Sequence, residues 1–219
     1  MNTVITIGNL VRKDFILQKR TLFFMLFFII MLMFSFSSGS NTTFTSPYIT
    51  VSIGAAIFWT MSVCSYEGFY KMDRLFASLP ISRAELVYAR YTSGFLTIIN
   101  VIVLSGIFGG LLTLANIRPD TFIISWEDAL TSFFVATILL YGYLPIYFKL
   151  GYLQSRMVNI AVFALLGALI VLISLLVDSL GVTVSTIPIV VSILAILAWI
   201  ALFICSITLA VKFYEKRAL

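Results

Sequence analysis

Residues 67–91 read EGFYKMDRLFASLPISRAELVYARY and form the longest charge-bearing stretch between the hydrophobic runs of this 219-residue chain. Hydrophobic residues make up 61% of the sequence and charged residues only 11%, against about 25% charged in a typical soluble domain. The apolar runs are about 17–25 residues long, which is the length that a membrane-spanning helix needs. The sequence therefore predicts an all-α integral membrane protein in which residues 67–91, called the hook below, lie outside the bilayer.

Six hydrophobic runs are long enough to cross a membrane. The predicted spans are residues 21–37, 48–65, 92–115, 129–148, 157–177 and 187–211. Arg118 is the only one of the 14 Lys and Arg residues that falls in a loop on the side opposite the hook, and positive residues concentrate on the cytoplasmic side of membrane proteins. We therefore expect residues 1–219 to form one transmembrane domain with both termini in the cytoplasm.

Residues 1–20 mix apolar and basic side chains at helical spacing, although Asp14 and Gln18 interrupt the apolar side. This pattern predicts an amphipathic helix in the cytoplasmic interface of the membrane, with its basic residues near anionic headgroups. Those basic residues are Arg12, Lys13, Lys19 and Arg20. A signal peptide is the alternative, but no small-residue cleavage site follows the first apolar run and further spans come after it.

The hook divides into two predicted helices. The first, over residues 67–79, has a polar face and an apolar face at helical spacing, and Pro80 ends it. The polar face holds Glu67, Lys71, Arg74 and Ser78, and the apolar face holds Phe69, Met72, Phe76 and Leu79. Ser82 and Glu85 match a capping box, which predicts a second helix from about Arg83 into span three. A two-faced helix suits either a lipid surface or a protein groove, and the residues alone leave both interpretations open.

The spans themselves carry few polar signals. Gly106 and Gly110 form a GxxxG pattern in span three and are therefore predicted helix-packing positions. No Asp, Glu, Lys or Arg lies in the middle of a predicted span, although ion-coupled transporters usually need such groups. We therefore expect the energy for any transport to enter from outside the bilayer.

Several functional classes lack the residues that they require. The chain has no histidine, which excludes HExxH zinc proteases and Ser-His hydrolases, and no lysine lies in a predicted span for a Ser-Lys dyad. Cys64 and Cys205 have no metal-ligand spacing, and the GxxxxGK[ST] phosphate loop is absent. The net charge of +5 comes from residues beside the spans and does not indicate nucleic-acid binding. We expect no catalytic residue, no metal site and no cofactor bound by this chain.

The hook also carries a resemblance to a known family. Residues 73–87, DRLFASLPISRAELV, resemble the LLxSLPxSRxEIV segment of ABC-2 type ABC transporter permeases, which likewise lies between their second and third spans. Residues 10–15, LVRKDF, are similar to the start of the interfacial connecting helix of that family. The six-span layout with both termini inside agrees with the family over the whole chain.

The resemblance implies the permease subunit of a bacterial ATP-driven exporter in the cell membrane. Permeases of this family pair as dimers, and each binds a separate cytoplasmic ABC ATPase, which holds ATP and Mg. The segment 67–79 would then be the coupling helix, and the capped helix would pass its motion to span three. The implied coupling residues are Glu67, Lys71, Asp73, Arg74, Phe76, Leu79, Pro80, Ser82, Arg83 and Glu85. Many members have a larger segment between spans five and six than this chain, which argues against an extracellular lid here.

The spans favour a hydrophobic or amphipathic cargo such as a helical peptide toxin, because the chain has 20 phenylalanines and few polar anchors in its spans. Phenylalanine-rich spans also pack against lipid and against each other, so this inference about the cargo is open. The alternative function is a non-transporting membrane scaffold or immunity protein that binds a toxin or a sensor. Substrate flux in vesicles, with and without ATP, separates these two functions.

Overall fold

The computed structural model of the chain describes residues 3–37, 47–70, 81–115, 125–151, 154, 157–158 and 189–216. These ranges contain five long helices, and no β-strand occurs within them. The helices are α1 (Thr3–Ser37), α2 (Pro47–Phe69), α3 (Arg83–Leu114), α4 (Trp126–Leu150) and α5 (Ile189–Lys216). The all-α prediction is therefore confirmed for the part of the chain that the structure describes.

Four stretches of these helices are long and apolar enough to cross a membrane. They are Tyr48–Gly68, Arg83–Leu114, Trp126–Leu150 and Ile196–Lys216, and they overlap the predicted spans two, three, four and six. Predicted span one is the second half of α1. Predicted span five, residues 157–177, lies outside the described residues except for its first two. The six-span layout and its orientation therefore stay predictions.

The first helix joins two segments that the sequence analysis separates. α1 runs without interruption from Thr3 to Ser37, so the amphipathic segment 1–20 continues directly into the hydrophobic segment 21–37. The reason is local, because residues 9–37 contain neither proline nor glycine and nothing in them breaks a helix. Asp14 thus lies on the same continuous helix as Ile29, which packs into the bundle.

Helix α3 begins as its sequence predicts. The Ser82 hydroxyl accepts a hydrogen bond from the Glu85 amide at 3.2 Å, and the Glu85 carboxylate accepts one from the Ser82 amide at 3.0 Å. This pair is a complete capping box. From Arg83 the helix continues to Leu114, so the predicted continuity between the second helix of the hook and span three is confirmed.

Helix α4 has signals at both ends. Ser125 caps its start, and Glu127 and Asp128 place negative charge in the first turn, where the helix dipole favours it. Gly151 ends the helix with a φ of 79°, a conformation that glycine adopts without steric cost. Pro145 lies inside the helix without ending it.

Helix α3 lies at the centre of the bundle. It packs against each of the other four described helices, whereas α5, among these helices, packs against α3 and α4. An aromatic cluster fills the space between α3, α4 and α5. Its rings, at centroid distances of 5.4–6.4 Å, belong to Phe95, Phe133, Tyr141, Trp199 and Phe203. Movement of α3 therefore reaches each of the other four described helices through direct contact.

Gly94 lies at a close approach between α3 and α4. A Cβ atom built on Gly94 would lie 3.0 Å from both terminal methyl carbons of Leu140 on α4. A Cβ built on Gly110 would meet no atom within 4 Å. Gly110 therefore has no close helix neighbour in the described part of the chain, and the packing role of Gly106 and Gly110 stays a prediction.

We expect Gly94→Ala to lower the thermal unfolding temperature, because Leu140 is 4% exposed and its surroundings limit how far it can move away. Overpacking of this kind costs about 1–3 kcal/mol. Gly110→Ala is the matched control on the same helix and should not lower the unfolding temperature, since alanine has room there and favours helix. Thermal unfolding of the purified protein in detergent measures both. An equal loss in the two variants would contradict the close approach at Gly94.

Candidate functional site

Four charged side chains from three helices meet at the base of the hook. Lys13 and Asp14 come from α1, Glu67 from the last turn of α2, and Arg90 from the second turn of α3. The Arg90 guanidinium bonds the Asp14 carboxylate at 2.9 Å with one nitrogen and pairs with Glu67 through the other. The Lys13 ammonium lies 2.6 Å from Glu67 Oε1 and 3.3 Å from Asp14 Oδ1. We call these four residues the charge cluster.

The charge cluster is buried and its formal charges balance. The side chains of Asp14, Glu67 and Arg90 are 3–4% exposed, and that of Lys13 is 29% exposed. Removal of a charge from water costs several kcal/mol unless geometry and hydrogen bonds compensate. Two cations face two carboxylates here, so each buried charge has an opposite charge in contact. Removal of a single member would therefore leave an opposite charge buried without its partner.

A fourth helix joins the charge cluster through a tyrosine. The Tyr147 hydroxyl of α4 donates a hydrogen bond to Glu67 Oε2 at 3.3 Å. Glu67 thereby accepts bonds from α1, α3 and α4. This one carboxylate at the end of α2 contacts polar groups of three other helices.

The position of Glu67 corrects the sequence-based assignment. The sequence places Glu67 on the polar face of a docking helix over 67–79, next to Lys71. In the structure α2 continues to Phe69, and Glu67 is 4% exposed inside the bundle. The helix extends past the predicted end of span two because Glu67 finds Arg90, Lys13 and Tyr147 as buried partners. Glu67 therefore offers no exposed surface to a partner protein.

Arg83 ties the start of α3 to the end of α5. Its guanidinium donates to the backbone carbonyls of Tyr214 at 3.0 Å and Glu215 at 2.8 Å, and it lies 5.9 Å from the centre of the Tyr214 ring. Carbonyls in the last turn of a helix have no partner within the helix and favour a cation. Arg83, the first residue of α3, thus attaches the start of this helix to the last turn of α5.

Deeper in the bundle, three hydrogen bonds from two residues of α5 hold this helix in place. Ser206 of α5 bonds the Tyr91 hydroxyl of α3 and donates to the backbone carbonyl of Tyr141 on α4 at 2.7 Å. Trp199 of α5 donates its indole N–H to Thr137 of α4 at 2.9 Å. Together with Arg83, these contacts attach α5 to α3 and α4 along much of its length.

The remaining predicted site residues divide into two groups. Ser82 and Glu85 form the capping box, and Arg12 and Lys19 are exposed on α1, whereas Lys13 joins the charge cluster. The other residues lie outside the described residues or have side chains that do. They are Lys71, Asp73, Arg74, Phe76, Leu79 and Pro80 of the hook, and Arg20 of α1, whose side chain is not described.

Sequence reasoning missed Asp14, Arg90 and Tyr147 as parts of one site. One signal was available, because Asp14 interrupts the apolar side of the first helix, and an acidic residue on a buried face needs a cation. The cation itself could not be identified, since Arg90 lies 76 residues further along the chain among 14 candidate Lys and Arg residues.

We expect Ser82→Ala to loosen the start of α3 without unfolding the protein. Loss of the capping hydroxyl removes one partner of the Glu85 amide and costs about 1 kcal/mol. Hydrogen exchange of the amides at 83–86 measures the loosening of the first turn of α3, and those amides should exchange faster than in the wild type. Ser125→Ala, which removes the cap of α4, is the matched control and should leave exchange at 83–86 unchanged. Unchanged exchange in Ser82→Ala would contradict the role of the capping box.

Comparison with known proteins gives one match. A family model described as an ABC-2 family transporter protein matches residues 9–215, which include all five described helices in whole or in large part. No curated protein and no solved structure matches the chain. The matched range contains the whole charge cluster and the hook.

Proposed function

Because the chain belongs to the ABC-2 family of transporter membrane proteins, we propose that it is the permease subunit of an ATP-driven exporter. The family match over residues 9–215 is the observation that carries this proposal. The chain has no phosphate loop, so ATP and Mg would be held by a separate cytoplasmic ABC ATPase. The permease acts as a dimer in the bacterial cell membrane, with both termini of each copy in the cytoplasm.

The hook is the proposed docking element for the ATPase. Its central residues, 71–80, lie outside the described residues, and the described residues on both sides of them are attached to the bundle. The preceding flank holds Glu67 in the charge cluster, and the following flank holds the capping box and Arg83. A force applied to the hook is therefore delivered to α2 and α3, and from α3 to every helix that it contacts.

The proposed cargo is hydrophobic or amphipathic, with a helical peptide as the leading candidate. Support comes from the 20 phenylalanines of the chain and from the lack of charged residues in its predicted spans. A cleft between α2, α3 and α4 has the same apolar character, although at about 10 Å³ it has room for only about one water molecule. Thr60 and Tyr143 are the polar residues among its lining residues, and the Thr60 hydroxyl is already bonded to the Ala56 carbonyl. A sugar or an ion would find few polar partners there.

Reconstitution of the chain with its ATPase in liposomes tests the proposed function. We expect a fluorescent amphipathic helical peptide to accumulate inside vesicles in which the ATPase faces outward, and only with hydrolysable ATP. A non-hydrolysable ATP analogue and a hydrophilic sugar serve as controls and should give no accumulation. Binding of the ATPase without ATP-dependent flux of any cargo class would instead support the scaffold function, and absence of ATPase binding would contradict the proposal.

A further inference from the structure

The ion pair between Glu67 and Arg90 closes the base of the hook. The described residues at the two ends of the hook, 67–70 and 81–91, are its flanks, and Glu67 lies in the flank on α2 whereas Arg90 lies in the flank on α3. A second contact joins the same two helices further from the hook, where the Tyr48 hydroxyl near the start of α2 donates to the Ile102 carbonyl in the second half of α3 at 2.9 Å. α2 and α3 are thus joined by side-chain bonds at two levels, and the level nearer the hook carries the charges.

The other two residues of the charge cluster, Lys13 and Asp14, are not part of the hook. Lys13 and Asp14 are neighbours on a helix that does not flank the hook, and they contribute one positive and one negative charge to the cluster. The cluster therefore divides into two neutral pairs. One pair, Glu67 and Arg90, joins the two flanks of the hook, and the other pair joins α1 to them.

We propose that the Glu67–Arg90 pair clamps the two flanks of the hook, so that a push on the hook moves α2 and α3 as one body. Arg90 is then a positioning residue, because it acts through Glu67 and Asp14 and is itself 4% exposed. Without the clamp, the same push separates the ends of α2 and α3. The displacement of the hook is then not transmitted to the other helices of the bundle. This inference rests on the proposed function of the chain as a permease driven by an ATPase.

Two double variants separate the clamp from the general stability of the cluster. Glu67→Gln with Arg90→Met removes the clamp and leaves Lys13 beside Asp14. Lys13→Met with Asp14→Asn removes the charges of α1 and leaves the clamp. Each variant deletes one positive and one negative charge, so neither leaves an unbalanced charge, and replacement of a buried ion pair by uncharged residues is often neutral for stability. Thr92→Val, on the exposed side of α3 beside Arg90, serves as a third control.

Two readouts test the clamp in the reconstituted complex with its ATPase. The first is hydrogen exchange of the amides at 64–69 and 83–90, which reports the two flanks whatever the protein transports. The second is the amount of fluorescent peptide transported per ATP hydrolysed. We expect the variant without the clamp to lose exchange protection in both segments and to transport about tenfold less per ATP, while it binds the ATPase as the wild type does. Two controls should keep wild-type exchange protection and wild-type transport per ATP. They are the variant Lys13→Met with Asp14→Asn and the variant Thr92→Val.

The outcomes distinguish the clamp from the function on which it rests. Wild-type transport per ATP in the variant without the clamp would overturn the inference, and so would an equal loss in the variant without the charges of α1. If the variant without the clamp does not fold, Arg90→Lys replaces it. Lysine keeps the positive charge, but its single ammonium group cannot bond both carboxylates in the way that the two guanidinium nitrogens do. Wild-type values in Arg90→Lys would overturn the inference in that case. A wild-type chain that binds no ATPase would refute the proposed function, whereas a loss of exchange protection in both flanks would still show the clamp.

Discussion

Arg90→Met alone is expected to lower the free energy of unfolding by about 3–5 kcal/mol, the cost of leaving a buried charge without its partner. The substitution leaves Asp14 and Glu67 inside the bundle with Lys13 as the only cation of the cluster, at 3.3 and 2.6 Å. Thermal or denaturant unfolding in detergent, followed by tryptophan fluorescence, measures the loss.

The matched control for Arg90→Met is the double variant Glu67→Gln with Arg90→Met. It deletes the same guanidinium together with one carboxylate, so the remaining charges of the cluster, Lys13 and Asp14, balance. We expect this double variant to be more stable than the single variant, although it differs from the wild type at more positions. A single variant as stable as the wild type, or more stable than the double variant, would contradict charge balance as the reason that the cluster holds together.

Leu79→Asp is expected to weaken binding of the ATPase to the permease by well over tenfold. The sequence places Leu79 at the end of the apolar face of the docking segment, next to Pro80. A carboxylate on an apolar docking face must lose its water on binding without gaining a partner. A single central residue of an interface contributes about 2 kcal/mol or more when it is a hot spot, so binding should weaken by well over tenfold. Affinity of the purified ATPase for the permease in detergent measures it.

Two controls define the result for Leu79→Asp. Unfolding of the variant in detergent should match the wild type, because the sequence predicts that Leu79 lies outside the membrane spans. Ser82→Ala should bind the ATPase at nearly wild-type affinity, since it weakens only the start of α3. Wild-type ATPase binding by Leu79→Asp would leave the hook as an interfacial loop on the membrane surface.

The parts of the fold that depend on local sequence could be predicted. The apolar runs that form α2, α3, α4 and α5 follow from hydropathy and length. The capping box of α3 follows from residues three positions apart, Ser82 and Glu85, because its geometry involves only one turn of backbone. Continuity from Arg83 into the apolar run follows from the absence of proline or paired glycines in between.

The parts that depend on distant partners could not be predicted. Glu67 and Lys71 have the ideal spacing for a surface ion pair along a helix, and nothing local indicates that Glu67 instead meets Arg90, Lys13 and Tyr147 inside the bundle. The bonds of Arg83 to the carbonyls of Tyr214 and Glu215 join residues more than 130 positions apart. Such contacts are set by how the helices pack, and a single sequence carries no record of that packing.

The structure also changes how the hook is understood. The sequence describes it as a docking helix followed by a transmitting helix, separated by Pro80 and the capping box. In the structure its two ends are held by a buried ion pair between Glu67, its first residue, and Arg90, its second-to-last residue. The two ends of the hook are therefore joined to each other and, through the charge cluster and Tyr147, to α1 and α4.

The most direct test of the account is the ATP hydrolysis rate of the partner ATPase in liposomes, measured with and without this chain. If the chain is the permease to which the ATPase couples through the hook, the wild-type chain should raise the hydrolysis rate, and Leu79→Asp should return it to the rate of the ATPase alone. A hydrolysis rate that is the same with the wild-type chain, with Leu79→Asp and without any permease would contradict the account.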